Sequence, residues 1–275
     1  MIDARMIAQA FDEVGSRVVF TPPRASRWES FPPPVRLDIN SDRKGEYYVI
    51  YADLLQEDEL VVLDRRPSRR HLVLMLTNRD SAGRSNLRVR FLCGHDERHW
   101  FVASLPEYAR VTTVTQAMEV LKPEFVREAQ ARFHVRPDER NRRRNAGYVR
   151  QGEWFFVPDP GFDSTGGLAH RHEPLRRGRS KPHVVDELIR TGGELVYFNN
   201  RYPNGLTESQ LLELRARKPR AGQGPWRMGT RNPLVHVRGR VRHPDHRTVI
   251  LDGWHRVALN QEGSAFGQQF VGFID

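Results

Sequence analysis

The stretch Leu234-Val235-His236-Val237-Arg238-Gly239-Arg240-Val241-Arg242 decides the fold class. Apolar and cationic side chains alternate with a period of two, the pattern of a strand with one buried face. Val235, Val237 and Val241 take the buried face, and His236, Arg238, Arg240 and Arg242 take the other. His243-Pro244-Asp245-His246 follows as a turn and Arg247–Leu259 as the returning arm, so the segment reads as a β-hairpin.

Working outward, Leu87–Cys93 and His99–Leu105 form a second hairpin around Gly94-His95-Asp96-Glu97. Strands are also predicted at Tyr47–Tyr51, Leu60–Leu63, His71–Leu76, Trp154–Val157 and Glu194–Phe198. Helical spacing runs through Ile2, Met6, Ile7, Ala10 and Phe11, and again from Val114 to Phe133 with a break at Pro123. Thr207 with Gln210 three residues on is a capping box for a helix to about Arg217. A short helix is expected near Pro182–Arg190, and 218–233 reads as loop. The fold class is therefore α+β in two domains, each with a mostly antiparallel sheet and a few short helices.

Charge separates the two halves. Residues 1–135 hold 20 basic and 19 acidic groups, whereas residues 136–275 hold 24 and 15, so nearly all of the net +10 lies in the second half. Seven of the 11 histidines lie there too. Between the halves, 136–147 (RPDERNRRRNAG) has no large apolar residue. It reads as a basic linker joining a near-neutral domain, 1–135, to a basic, His-rich one, 148–275. A basic domain of this kind faces a polyanion or an anionic substrate.

The composition excludes some classes. No apolar run approaches the roughly 18 residues that span a bilayer, so no membrane partner is expected. The first residues lack the pattern of a secretory signal, and the single cysteine, Cys93, cannot form an internal disulfide. Both readings point to the cytoplasm.

Three segments carry candidate chemistry. In 168–183, His170 and His172 lie two apart in an extended run and so point to one side, and Glu173 or His183 could complete a metal site. A divalent metal is the one cofactor this suggests, with an open position that would activate water. Arg171, Arg176, Arg177, Arg179 and Lys181 in the same segment oppose only Glu173, and a helix opening at Pro182 would add an N-terminus that favours phosphate.

The C-terminal hairpin is the second segment. Arg238, Arg240 and Arg242 with His236 line up roughly 6–7 Å apart, close to phosphate spacing, unless acids elsewhere pair with them. His243 and His246 at its turn, with Asp252 and His255 nearby, offer general-base chemistry toward a phosphodiester, as does His172. In the third segment, Arg215, Arg217, Lys218 and Arg220 lead to Trp226, Arg227 and Arg231, with no acid from 215 to 231. Cations interleaved with an aromatic suit a single strand, Trp226 stacking on a base or anchoring the loop.

Together these features predict a nucleic-acid-binding protein, DNA and RNA undistinguished, whose first domain could contact a protein partner. The alternatives are a hydrolase with a histidine-based, metal-dependent site, and an assembly subunit that binds an acidic protein.

Overall fold

The computed structural model describes residues 3–22, 35–52, 59–79, 85–176 and 181–261. The fold is α+β, with mostly antiparallel sheets and short helices. The contacts of the described residues divide them into two compact units, one before residue 128 with 260 and 261, and one from 128 to 259.

The first unit opens with α1 (Ala4–Glu13), capped by the Asp3 carboxylate, which accepts from the Arg5 and Met6 amides. Strands β1 (Val18–Thr21), β2 (Val35–Asp42) and β3 (Gly45–Ala52) form one sheet in the order β1-β3-β2, with β1 parallel to β3. Strands β4 (Glu59–Arg66), β5 (His71–Arg79), β6 (Ser85–Asp96) and β7 (His99–Ser104) form an antiparallel meander.

Alternation along β5 divides the core. Leu72, Leu74 and Leu76 join α1 and β3 in one apolar cluster, while Val73 joins Leu92, Ala103 and α2 (Val114–Val120) in another. Buried Tyr48 hydrogen-bonds the main chain of β6 and β7, its hydroxyl reaching the carbonyls of Gly94 (3.1 Å) and Phe101 (2.9 Å). Helix α3 (Glu124–Arg132) contains the division between the units.

In the second unit the basic segment 136–147 is packed rather than extended. The Tyr148 hydroxyl and the Gln130 side-chain amide both donate to the Arg140 carbonyl at 2.7 Å, and the Glu139 carboxylate pairs with Arg136 and Arg142. A seven-stranded sheet follows. It comprises β8 (Arg144–Asn145), β9 (Tyr148–Gln151), β10 (Trp154–Pro158), β11 (Ala169–Leu175), β12 (His183–Thr191), and two later strands called β16 (Leu234–Arg242) and β17 (Val249–Leu259) below. Their order is β11-β12-β16-β17-β10-β9-β8.

This sheet is strongly coiled. Strands β10 and β12 are three places apart in the order, about 14 Å in a flat sheet. Yet the Trp154 and His183 rings lie 6.1 Å apart, centre to centre. Gln151 of β9 donates to the main-chain carbonyls of Val241 (3.2 Å) and Arg247 (2.7 Å), at the end of β16 and in the turn beyond it. Inside the curl, Trp154, Phe156, Leu175, Val185, Leu188, Val235, Val237 and Val241 form one core.

A smaller antiparallel sheet carries β13 (Glu194–Asn199), β14 (Tyr202–Leu206) and β15 (Arg227–Arg231), with β13 central. Two helices, α4 (Glu208–Arg217) and α5 (Pro219–Gly222), lie between β14 and β15 in the chain. The Thr207–Gln210 capping box forms as expected.

Two segments differ from the sequence reading. The helix expected at Pro182–Arg190 is strand β12, paired on both edges with β11 and β16. A bulge at Asp186 breaks its alternation, so its apolar residues lose the period of two that marks a strand. The expected loop at 218–233 contains α5 and β15. Among the described residues, no helix is long and apolar enough to cross a membrane.

Candidate phosphate cleft and histidine cluster

Strand pairing gathers the histidines in a way their spacing does not suggest. Val184 of β12 faces Arg242 of β16, so His183 and His243, the next residues outward on each strand, meet at the sheet end. Their rings stack at 4.2 Å, and His246, across the turn, lies 4.6 Å from His243 and 5.6 Å from His183. One ring nitrogen from each of the three lies within 4.8 Å of the others.

His183 is 2% exposed, and among the described residues neither of its ring nitrogens has a hydrogen-bond partner. Burial, then the neighbouring His243 and His246, push its pKa down to about 3, so it is neutral at physiological pH. His243 is also lowered by burial. Its Nδ1 accepts from the Asp245 amide at 3.1 Å, so the proton of the neutral ring sits on Nε2. Gly152, at φ +58°, closes the site from the β9–β10 turn. A Cβ there would lie 2.9 Å from His246 Nε2 and 3.4 Å from His183 Nε2.

The other predicted site histidines lie apart from this cluster. His170 pairs with Leu188, five places along β12 from His183 and so roughly 16 Å away. His172, at φ +56°, leaves the extended conformation that would align it with His170. The set His170, His172 and His183 therefore does not converge; His183 joins the hairpin turn instead. His255 is buried along β17 opposite Val237, with Nδ1 3.1 Å from the Gly253 carbonyl, and is remote from His243 and His246. Lys181 holds the Asp245 carboxylate at 2.9 Å.

The cationic row of β16 exists but is matched by acids on β12. Arg238 pairs with Glu187 at 2.7 Å, Arg240 with Asp186 at 3.0 Å, and Arg242 with the other Asp186 oxygen. The bulge places Asp186 beneath Gly239, whose missing side chain makes the approach possible: a Cβ would lie 2.9 Å from that of Asp186. The Arg240 backbone N–H, which donates to Asp186 at 3.0 Å, and then the Arg240 guanidinium hold the Asp186 carboxyl below the usual carboxylate range. His236 does not extend the exposed row. It is 3% exposed, 3.1 Å from Asp159, and covered by a parallel Phe162 ring 3.7 Å away.

In 168–183, Arg171 and Arg176 are exposed, and Arg177 and Arg179 lie outside the described residues. No helix opens at Pro182, so the phosphate-binding N-terminus expected there is lost.

The third segment builds a concavity. A cleft of about 630 Å³ lies among the β13–β14 turn, α5 and the start of β15. Arg201, Arg220 and Arg227 line it beside Phe198, and among the described residues no carboxylate does. Trp226 serves as the loop anchor: its indole N–H donates to the Gly222 carbonyl at 3.0 Å, and its ring stacks on Tyr202. Arg217 is held by Glu213 at 2.8 Å, and Lys218 is exposed at the α4–α5 junction. Arg201 was not expected, because the turn that delivers it lies outside the acid-free run. In the first unit, Arg17, Lys44, Arg70 and Arg98 line a second basic cleft of about 620 Å³. There Asp42 pairs with Arg17, and Arg70 lies 4.5 Å over the Trp100 ring.

Comparison with protein-family models, curated proteins and solved structures finds no match to this chain. The functional reading therefore rests on these sites.

Proposed function

We propose that this is a nucleic-acid-binding protein whose second unit grips phosphates in the Arg201–Arg220–Arg227 cleft. The observation that carries this reading is a concave site with three guanidinium groups and, among the described residues, no lining carboxylate. Guanidinium forks bind phosphate oxygens bidentately, and a cleft without acids charges no internal pair for that contact. The arginines of β16 differ because each already has an ion-pair partner, Arg238 with Glu187 and Arg240 and Arg242 with Asp186. The excess of 24 basic over 15 acidic groups in residues 136–275 supplies a favourable field around the cleft. Phe198 at its wall offers a face on which a base can stack, which suits a single strand. The buried thiol of Cys93 suits a reducing, cytoplasmic setting.

Fluorescence anisotropy of labelled single- and double-stranded DNA and RNA, titrated with the full chain at several salt concentrations, tests the reading. Replacing Arg220 and Arg227 together with Glu should weaken binding across sequences. It should also lower the slope of log K against log salt by about 1.4–1.8, at roughly 0.7–0.9 per lost phosphate contact. An unchanged slope removes the cleft from the account, and binding to acidic polypeptides but to no nucleic acid replaces the reading with a protein partner. A second reading, action on a phosphodiester, draws on the histidine cluster, and cleavage of the bound strand would establish it.

A further inference from the structure

We infer that His183, His243 and His246 form a site for one late divalent metal ion, zinc being the representative, with a fourth position open to water. The inference is independent of the phosphate cleft and concerns different residues.

The donor set comes first. Three imidazoles converge, with no thiolate or carboxylate in the group. Imidazole nitrogen suits zinc, copper, nickel and iron, whereas magnesium, calcium and manganese favour oxygen ligands. A three-histidine set with a vacant fourth place is the pattern of zinc sites that retain a water.

Geometry supplies the second argument. The ligand nitrogens lie within 4.8 Å of one another. Zinc–nitrogen bonds of about 2.0–2.1 Å in a tetrahedral arrangement set nitrogens about 3.3 Å apart. The three rings lie within 22–30° of parallel, so binding one ion requires the two half-buried turn rings, His243 and His246, to turn their nitrogens toward a common point beside His183.

The third argument is the cost of His183 without a ligand. A buried imidazole with two unpartnered nitrogens is rare, because buried polar atoms find partners. A metal would supply one. Gly152 adds to this: its missing side chain leaves space where His183 Nε2 and His246 Nε2 face, and any larger residue would fill it. On His243, Nδ1 carries the lone pair, now directed at the Asp245 amide, so ligation through Nδ1 requires that contact to open. A ligating histidine ordinarily donates its second nitrogen to a carbonyl or carboxylate.

Zinc chloride titrated by calorimetry into chelator-stripped full-length protein tests the site. The expected result is one equivalent bound, with affinity falling more than about tenfold in His183→Ala and in His246→Gln. His170→Ala, away from the cluster, should bind as the native chain does. Cobalt should give the intense visible absorption of a tetrahedral ion, lost in His246→Gln. The turn variant guards against a folding failure of the buried one, and its circular dichroism should match the native chain. Absence of zinc binding by the native chain overturns the inference. So does one-equivalent binding that survives in a folded His246→Gln.

Discussion

Replacing Gln151 with Met tests the coil of the seven-stranded sheet, on which the histidine cluster depends. Gln151 is 1% exposed and spans from β9 to two carbonyls, Val241 and Arg247, that flank the β16–β17 turn. Met has nearly the same length and volume, so packing is kept while both donations are lost. Each buried hydrogen bond contributes about 0.5–1.5 kcal/mol net, and a carbonyl left dry costs about 1–3 kcal/mol. Against this, the buried Gln151 Oε1 has no partner among the described residues, and removing it returns part of the loss. The expected net destabilisation is about 1–3 kcal/mol, a fall in Tm of roughly 2–10 °C. Differential scanning calorimetry reads the transition of the second unit, and hydrogen exchange at 148–151 and 241–247 localises it. A stability within about 0.3 kcal/mol of the native chain, with exchange unchanged at both segments, would refute the crossing of β9 to the turn.

Two further perturbations follow from the same geometry. Burial lowers the pKa of His236 and His255 from 6.5 in the folded chain, so the unfolded chain binds protons first on acidification. Their contribution to stability is full above pH 6.5 and is lost as pH falls toward the folded values. Urea denaturation from pH 7.5 to 5 should show a decline that is shallower in His255→Gln, and identical slopes would contradict the assignment. Asp186→Asn removes the charge that holds Arg240 and Arg242 but keeps an acceptor for the Arg240 amide. Because these pairs are part-exposed, the stability cost should be at most about 1 kcal/mol, while nucleic-acid affinity and its salt slope rise; unchanged binding would mean the freed arginines do not face the strand.

The sequence announces local features and conceals those made by long-range pairing. Alternation in 234–242 predicts β16 and its valine face correctly, and the Thr207 capping box predicts α4. Both signals are local. The acids that pair with the β16 arginines come from β12, whose bulge disguises it as a helix, so that pairing is invisible until the strand is recognised. The same pairing explains the histidines. His183 and His243 are 60 residues apart in sequence, and only the register Val184 to Arg242 makes them neighbours. Recognising β12 from Val184, Val185 and Ile189 as β-branched strand residues was the available clue. Arg201 had no such clue, because the cleft is set by where the β13–β14 turn meets α5.

Hydrogen exchange of the full chain with and without a bound single-stranded oligonucleotide tests the central claim most directly. The account predicts slowed exchange at Asn199–Tyr202 and Arg220–Arg227, the backbone that carries the three cleft arginines, with little change along β16. Protection confined to 236–242, or none at the cleft while the oligonucleotide is demonstrably bound, would contradict it.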